Sequence, residues 1–154
     1  MGSVTEEDDL AMATYLLKTE PSDYCFADLQ KAGTCRWDGV SNAAALIAMR
    51  SMRKGDEVLV YHTGDEKAVV GLAKVTSDPF EDPEQPGKTA KGEPKFAVVT
   101  LAPVAAAKSR VTLAAIKADP RFKEFPLVTQ GRLSVMAVGK TLDRLLRKMA
   151  GLPG

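Results

Sequence analysis

Two β-branched runs, "EVLVYH" (57–62) and "AVVGLAKVT" (68–76), are separated only by "TGDEK". No other feature constrains the fold as tightly. A short polar spacer containing glycine predicts a hairpin. Both runs are apolar at nearly every position rather than at alternate ones, so at least part of each strand must be covered on both faces. A chain of 154 residues is long enough to supply that cover. The expected organisation is one domain over 13–152, preceded by a disordered tail over 1–12 in which Met12 is a natural starting point.

The remaining elements are weaker signals. "TYLLK" (14–18) is a short apolar run that ends where Pro21 and Ser22 mark a turn. "FADLQKA" (26–32) predicts a helix stopped by Gly33. "NAAALIAMRSM" (42–52) predicts another, with Asn42 or Ser41 as N-cap and Gly55 just beyond its end. After the hairpin, residues 77–94 hold four prolines and two glycines and predict a long irregular loop. "KFAVVTLA" (95–102) predicts a strand with Phe96 in the core. "TLAAIKADP" (112–120) predicts a helix capped by Thr112 and ended by Pro120. "LSVMAV" (133–138) is a last strand and "TLDRLLRKMA" (141–150) a last amphipathic helix. Five short strands with helices placed irregularly among them predict an α+β fold: a curled, mostly antiparallel β-barrel flanked by short helices.

The net charge of +1 conceals an asymmetry. Glu6, Glu7, Asp8 and Asp9 hold four of the 20 acids, whereas residues 103–154 carry ten Lys or Arg against three Asp or Glu, a net +7. Such an excess suits an anionic partner. No apolar stretch approaches a bilayer span, so no membrane partner is expected. The N-terminus lacks a secretory pattern. Cys25 and Cys35 have no second pair and no nearby histidine, which argues against zinc; a disulfide between them is one reading, and two reduced thiols in a cytoplasmic protein (nucleoid or nuclear if eukaryotic) the plainer one. No P-loop, G-x-G-x-x-G, H-E-x-x-H or G-x-S-x-G pattern is present, so neither a cofactor nor a metal is expected. His62 is the only histidine, and a strand-end histidine that hydrogen-bonds its surroundings is the plainer reading.

The aromatic residues say more. Trp37, the only tryptophan, precedes Asp38 and Gly39 in "RWDGVSN". Recognition of a flat ligand needs an aromatic wall and a few directed polar groups for its edge. That stretch supplies both, with Trp37 as wall and Asp38, Ser41 and Asn42 as edge readers. The opposing reading is a ring that plugs one end of the barrel.

Six segments, "YLLKTEPSDY", "WDGVSN", "MRKGDEVLVYHTG", "AVVGLAKV", "VTLAAIKADP" and "LVTQGRLSVMAV", occur in the order and spacing of the EVE domain, a PUA-like family that this chain resembles from about Thr14 to Met149. The resemblance implies a pocket for a nucleobase, with modified cytosine in DNA as the leading ligand class. Motif by motif, it implies ligand contacts from Lys18, Thr19, Glu20 and Pro21, and from Trp37, Asp38, Gly39, Val40 and Asn42. It implies further contacts from Tyr61, His62 and Thr63, and from Gln130, Arg132, Leu133 and Ser134. The chain departs from the family pattern at Ser41, where many members have Arg, and in "AAALIAMR", where many have a polar, arginine-containing helix. The expected function is a non-catalytic, monomeric reader of a modified base in DNA or RNA, with phosphates held by the basic C-terminal half. The alternatives are a nucleoside- or small-molecule-binding interaction module, and an enzyme acting on a nucleotide with His62 as base and Glu20 or Asp38 as its partner.

Overall fold

The computed structural model describes residues 13–154; the tail over 1–12, including its acidic cluster and Met12, lies outside the described residues. In chain order the elements are β1 (Thr14–Thr19), α1 (Phe26–Ala32), β2 (Cys35–Trp37), α2 (Ala43–Ser51), β3 (Glu57–His62), β4 (Ala68–Val75) and β5 (Phe80–Glu81). They continue with β6 (Ala97–Thr112), α3 (Leu113–Ala118), a 3₁₀ turn (Pro120–Phe122), α4 (Pro126–Thr129), β7 (Val135–Val138) and α5 (Lys140–Ala150).

Local chemistry explains the helix ends. The Asp28 carboxylate accepts the Cys25 N–H at 2.9 Å, and α1 stops at Gly33, whose φ of +78° suits glycine. Asn42 caps α2, its Oδ1 accepting from Ala45 N–H at 3.0 Å. Thr112 does the same for α3.

The expected hairpin is present: β3 and β4 pair antiparallel, with Leu59 opposite Leu72. The ladder order is β2-β6-β4-β3-β1-β7, with β5 on β6. All pairs are antiparallel except β1 with β3, which is parallel because α1, β2 and α2 intervene in the chain.

Period-two alternation sends Leu17, Val58, Val60, Val70 and Val135 into one core, which α1 and α2 cover through Phe26, Leu29, Ala45 and Met49. Their neighbours Leu16, Leu59, Tyr61, Val69 and Met136 enter a second, outer core on the face opposite that first, inner one, covered by Ile116, Phe122, Phe125, Leu127 and Leu146. Both faces of the hairpin are buried, which is why its strands read as unbroken apolar runs. At Gly71 a Cβ would lie 2.6 Å from the Phe26 ring, so glycine there lets α1 approach the sheet closely.

Several details differ from expectation. There are seven strands among the described residues, not five, because β2 and β5 are too short to show a period. The segment 77–94 is irregular, as expected, but holds β5 and two isolated bridges. Phe96 precedes β6, is only partly buried, and has the Lys95 ammonium 5.6 Å from its ring centre; it is not core. β6 runs ten residues past the expected end at Ala102, straight through Pro103. A proline is tolerated there because the β4–β6 register shifts between Leu72 and Ala73, and Ala73 is the partner of Pro103. Pro120 ends α3 by opening a 3₁₀ turn.

The sheet curls without closing. Its ladder path ends at β2 on one side and at β7 on the other. The barrel expected from sequence is thus a curled half-barrel with an open seam.

Candidate functional site

A cavity of about 490 Å³ opens at that seam, with walls drawn from both ends of the ladder path. β2 contributes Cys35, Arg36 and Trp37. The loop after it contributes Asp38, Gly39, Val40, Ser41 and Asn42, turning at Gly39 with φ +75°. The end of β1 and the following turn bring Lys18, Thr19, Glu20, Asp23 and Tyr24, and the start of β7 brings Ser134 and Val135.

Trp37 ends an edge strand, opposite Val99 of β6. Its ring is half-buried and rests on the inner core, with the Tyr24 ring edge-on at 6.1 Å and 75°. One part of the ring anchors and the rest faces the cavity, so it is a wall rather than a plug. Burial, reinforced by the neighbouring Cys35 thiol, pushes the Tyr24 phenol up to about 12, so this second ring presents a neutral hydroxyl.

The polar edge is held from behind. The Thr63 hydroxyl donates to Glu20 Oε2 at 3.0 Å and Ser22 Oγ to Oε1 at 3.1 Å; these bonds, Thr63 first, hold the Glu20 carboxyl below the usual carboxylate range. The Glu20 carbonyl accepts the N–H groups of Asp23 and Tyr24, and Thr19 Oγ1 donates to the Tyr24 carbonyl at 2.6 Å. Asp38 pairs with Arg36 at 3.0 Å in a solvent-exposed bridge. Asn42 both caps α2 and lines the cavity. Lys18 Nζ donates to the Gly131 carbonyl at 2.8 Å, and partial burial lowers its pKa. The wall carries more acids (Glu20, Asp23, Asp38) than bases (Lys18, Arg36).

Lys18, Thr19, Glu20, Trp37, Asp38, Gly39, Val40, Asn42 and Ser134 are therefore brought together as the motifs imply, and Ser41 with them. Seven others do not line this cavity. Pro21 lies in the turn beside it. His62 is buried; its Nε2 accepts the Phe26 N–H at 3.0 Å and its Nδ1 is 3.3 Å from Glu66 Oε1. Neither partner lines the cavity, so His62 tethers α1 to the hairpin and is not poised as a base toward it. Thr63 supports Glu20, and Tyr61 sits in the outer core. Leu133 packs against both cores, and Gln130 and Arg132 are exposed.

Asp23, Tyr24, Cys35, Arg36 and Val135 line the cavity although motif matching did not select them. Tyr24 was within reach, since it ends "KTEPSDY". Among the described residues, no group of three His, Cys, Asp or Glu could hold a metal ion, and no helix is long and apolar enough to cross a membrane.

The basic excess is also distributed differently from expectation. Arg147 is buried, bonded to Asp143 at 2.7 Å, Glu57 at 2.9 Å, the Pro153 carbonyl and Thr14. Arg121 pairs with Asp119 and Arg110 with Glu66. None of the ten bases in 103–154 lines the cavity.

A curled mixed sheet, helices on both faces and an aromatic cavity at the unclosed seam define a domain of the PUA-like class. Within that class the chain belongs to the EVE domain family, which it matches over residues 13–149. It is 27% identical over 132 residues to thymocyte nuclear protein 1 of Gallus gallus, covering 73% of this chain and 54% of that protein. The chain spans 66% of the length of the human protein of the same name. Among solved structures, Rpa0253 from Rhodopseudomonas palustris superposes with TM-score 0.81 at 35% identity, covering 91% of this chain and 94% of that one. The human THYN1 protein in complex with 5-methylcytosine-containing DNA superposes with TM-score 0.77 at 26% identity, covering 92% and 99%.

Proposed function

We propose that this chain is a non-catalytic nucleic-acid-binding module that seats a modified base, most readily a modified cytosine in DNA, in the seam cavity. The observation that carries this reading is the half-buried Trp37 facing an open cavity about 490 Å³ in volume. A base can stack on that ring while Asp38, Asn42, Thr19 and Ser134 lie within the same walls to meet its edge. The human THYN1 complex with 5-methylcytosine-containing DNA, similar over most of the chain, supports the choice of ligand. Titrating labelled oligonucleotides bearing cytosine, 5-methylcytosine or 5-hydroxymethylcytosine at two salt concentrations tests it. The expected result is preference for a modified base and weaker binding at the higher salt, because phosphate contacts release counterions. Binding to none of them refutes it.

The acidic bias of the cavity wall favours a second reading, a site for free nucleosides without phosphates. In a thermal-shift screen, stabilisation by nucleosides alone, with none from oligonucleotides, selects that reading.

A further inference from the structure

Beside the seam cavity lies a smaller cleft of about 200 Å³ with a different electrostatic character. Lys18 is part of both walls. The cleft adds Lys67 from the β3–β4 hairpin and Lys117 from α3, and no Asp or Glu lines it. None of these three ammonium groups is ion-paired with a described residue. Glu66, next to Lys67 in sequence, is drawn away by Arg110 at 2.7 Å and His62 at 3.3 Å.

Three segments distant in sequence thus deliver like charges to one concavity, although like charges repel and are ordinarily spread over a surface. A concave wall focuses the field of those charges, so an anion in the cleft feels all three. Lys67 has φ +44°, the only positive φ among non-glycine residues described, and its carbonyl accepts the Leu113 N–H at 2.7 Å. A non-glycine residue held in that conformation is unusual and directs attention to what its placement serves. Lys18, already bonded once to Gly131, keeps two further N–H donors.

We infer that the Lys18–Lys67–Lys117 cleft binds the phosphate group adjoining the base that the seam cavity seats. Lys18, common to both walls, sets the two parts of one nucleotide side by side. This inference rests on the proposed base-binding reading for its biological ligand, but the cleft itself can be tested without a base. A water takes about 30 Å³ of liquid, so 200 Å³ admits a phosphate with solvent to spare. The arrangement also reconciles an acid-biased base cavity with an anionic ligand, since the negative charge is received next door.

The test uses the full chain and a Lys67→Gln/Lys117→Gln variant, which leaves every residue of the seam cavity intact. Calorimetry at low salt compares 5-methyl-2′-deoxycytidine with its 3′- and 5′-monophosphates, and amide chemical shifts follow titration with inorganic phosphate alone. The expected result is that one monophosphate binds roughly tenfold tighter than the nucleoside, and that the variant loses most of this advantage while its nucleoside affinity is unchanged. A monophosphate advantage that survives in the variant overturns the inference. If no nucleoside or nucleotide binds, the base reading falls. In that case, phosphate-induced shifts at Gly64, Lys67 and Gly131 that vanish in the variant uphold the cleft, and their absence in the parent overturns it too.

Discussion

The two faces of the curled sheet start from the same alternating apolar residues and end with different properties. The outer face is sealed: Phe122, Ile116 and Leu146 are fully buried beneath α3, the 3₁₀ turn and α5. The buried Arg147 ties α5 to Glu57 on β3 and to Thr14 on β1. The inner face is covered by α1 and α2 only as far as the seam, where Trp37, Tyr24 and Val40 remain partly exposed around the cavity. The same hydrophobic pattern therefore seals a core where helices complete the cover and leaves an open, aromatic-lined cavity where they stop short. A ring with no solvent-facing side has nothing to offer a ligand, and a ring that faces solvent contributes less to the fold.

The sharpest way to break this contrast is at its sealed end. Phe122→Ala removes a fully buried ring and should cost about 3–5 kcal/mol in urea denaturation, while the protein that remains folded binds oligonucleotide as before. Impaired binding by folded Phe122→Ala protein would show that the two faces are coupled rather than separate.

Trp37→Ala is the mirror experiment, with a smaller effect on stability. Because the ring is half-buried, the cost should be nearer about 1–2 kcal/mol. Base binding should weaken by about 1–3 kcal/mol, the usual worth of one base–aromatic stack. Trp37→Phe should restore part of the affinity, since it keeps an aromatic face with less area. Severe destabilisation with normal binding by the folded fraction would return Trp37 to the role of plug.

The smallest effect concerns the support behind the cavity. Glu20 is held below its ordinary value, about 4.3, by the Thr63 hydroxyl first and then by Ser22. A carboxylate whose folded pKa is depressed stabilises the fold above its unfolded pKa, and that contribution is lost as pH falls through the folded pKa. Thr63→Val should therefore move the Glu20 carboxyl titration, followed by carbon NMR, upward toward the ordinary value. The slight stability gap between variant and parent at neutral pH should close in acid. An unmoved Glu20 titration would mean that the Thr63 bond does not hold the turn.

Much of this is legible in the sequence, and the reason is local. Gly33 and Asn42 mark helix ends because a left-handed stop and a side-chain cap are decided by a few neighbouring residues. "TGDEK" joins a hairpin because its flanking runs are adjacent in the chain. Less legible was β6. Residues 103–112 are mostly small or polar and only Val111 among them is buried, yet they form strand because β4 pairs with them as far as Ala68 with Thr112. β2 is three residues long and is held as strand only by β6.

The site divides along the same line. "KTEP" and "WDGVSN" are contiguous, so their cavity residues arrive together. "YHT" lies outside the seam cavity, because pairing Thr19 with His62 places it behind the turn, where His62 fastens Phe26 and Thr63 fastens Glu20, while Tyr61 and Thr63 line the neighbouring lysine cleft. The basic excess could be counted in sequence, but which arginines are spent on Asp119, Glu66 and Glu57 could not. Sequence alone determined the helix caps, the hairpin, the doubly covered strands and the aromatic placed beside a turn, since all depend on residues within a few positions of one another. Only the tertiary structure decided that the sheet stays open between β2 and β7, that Tyr24 meets Trp37 there, and that Lys18, Lys67 and Lys117 share one cleft. Those facts depend on the register between strands far apart in the chain, and register is set by the packing of the whole sheet rather than by any one segment.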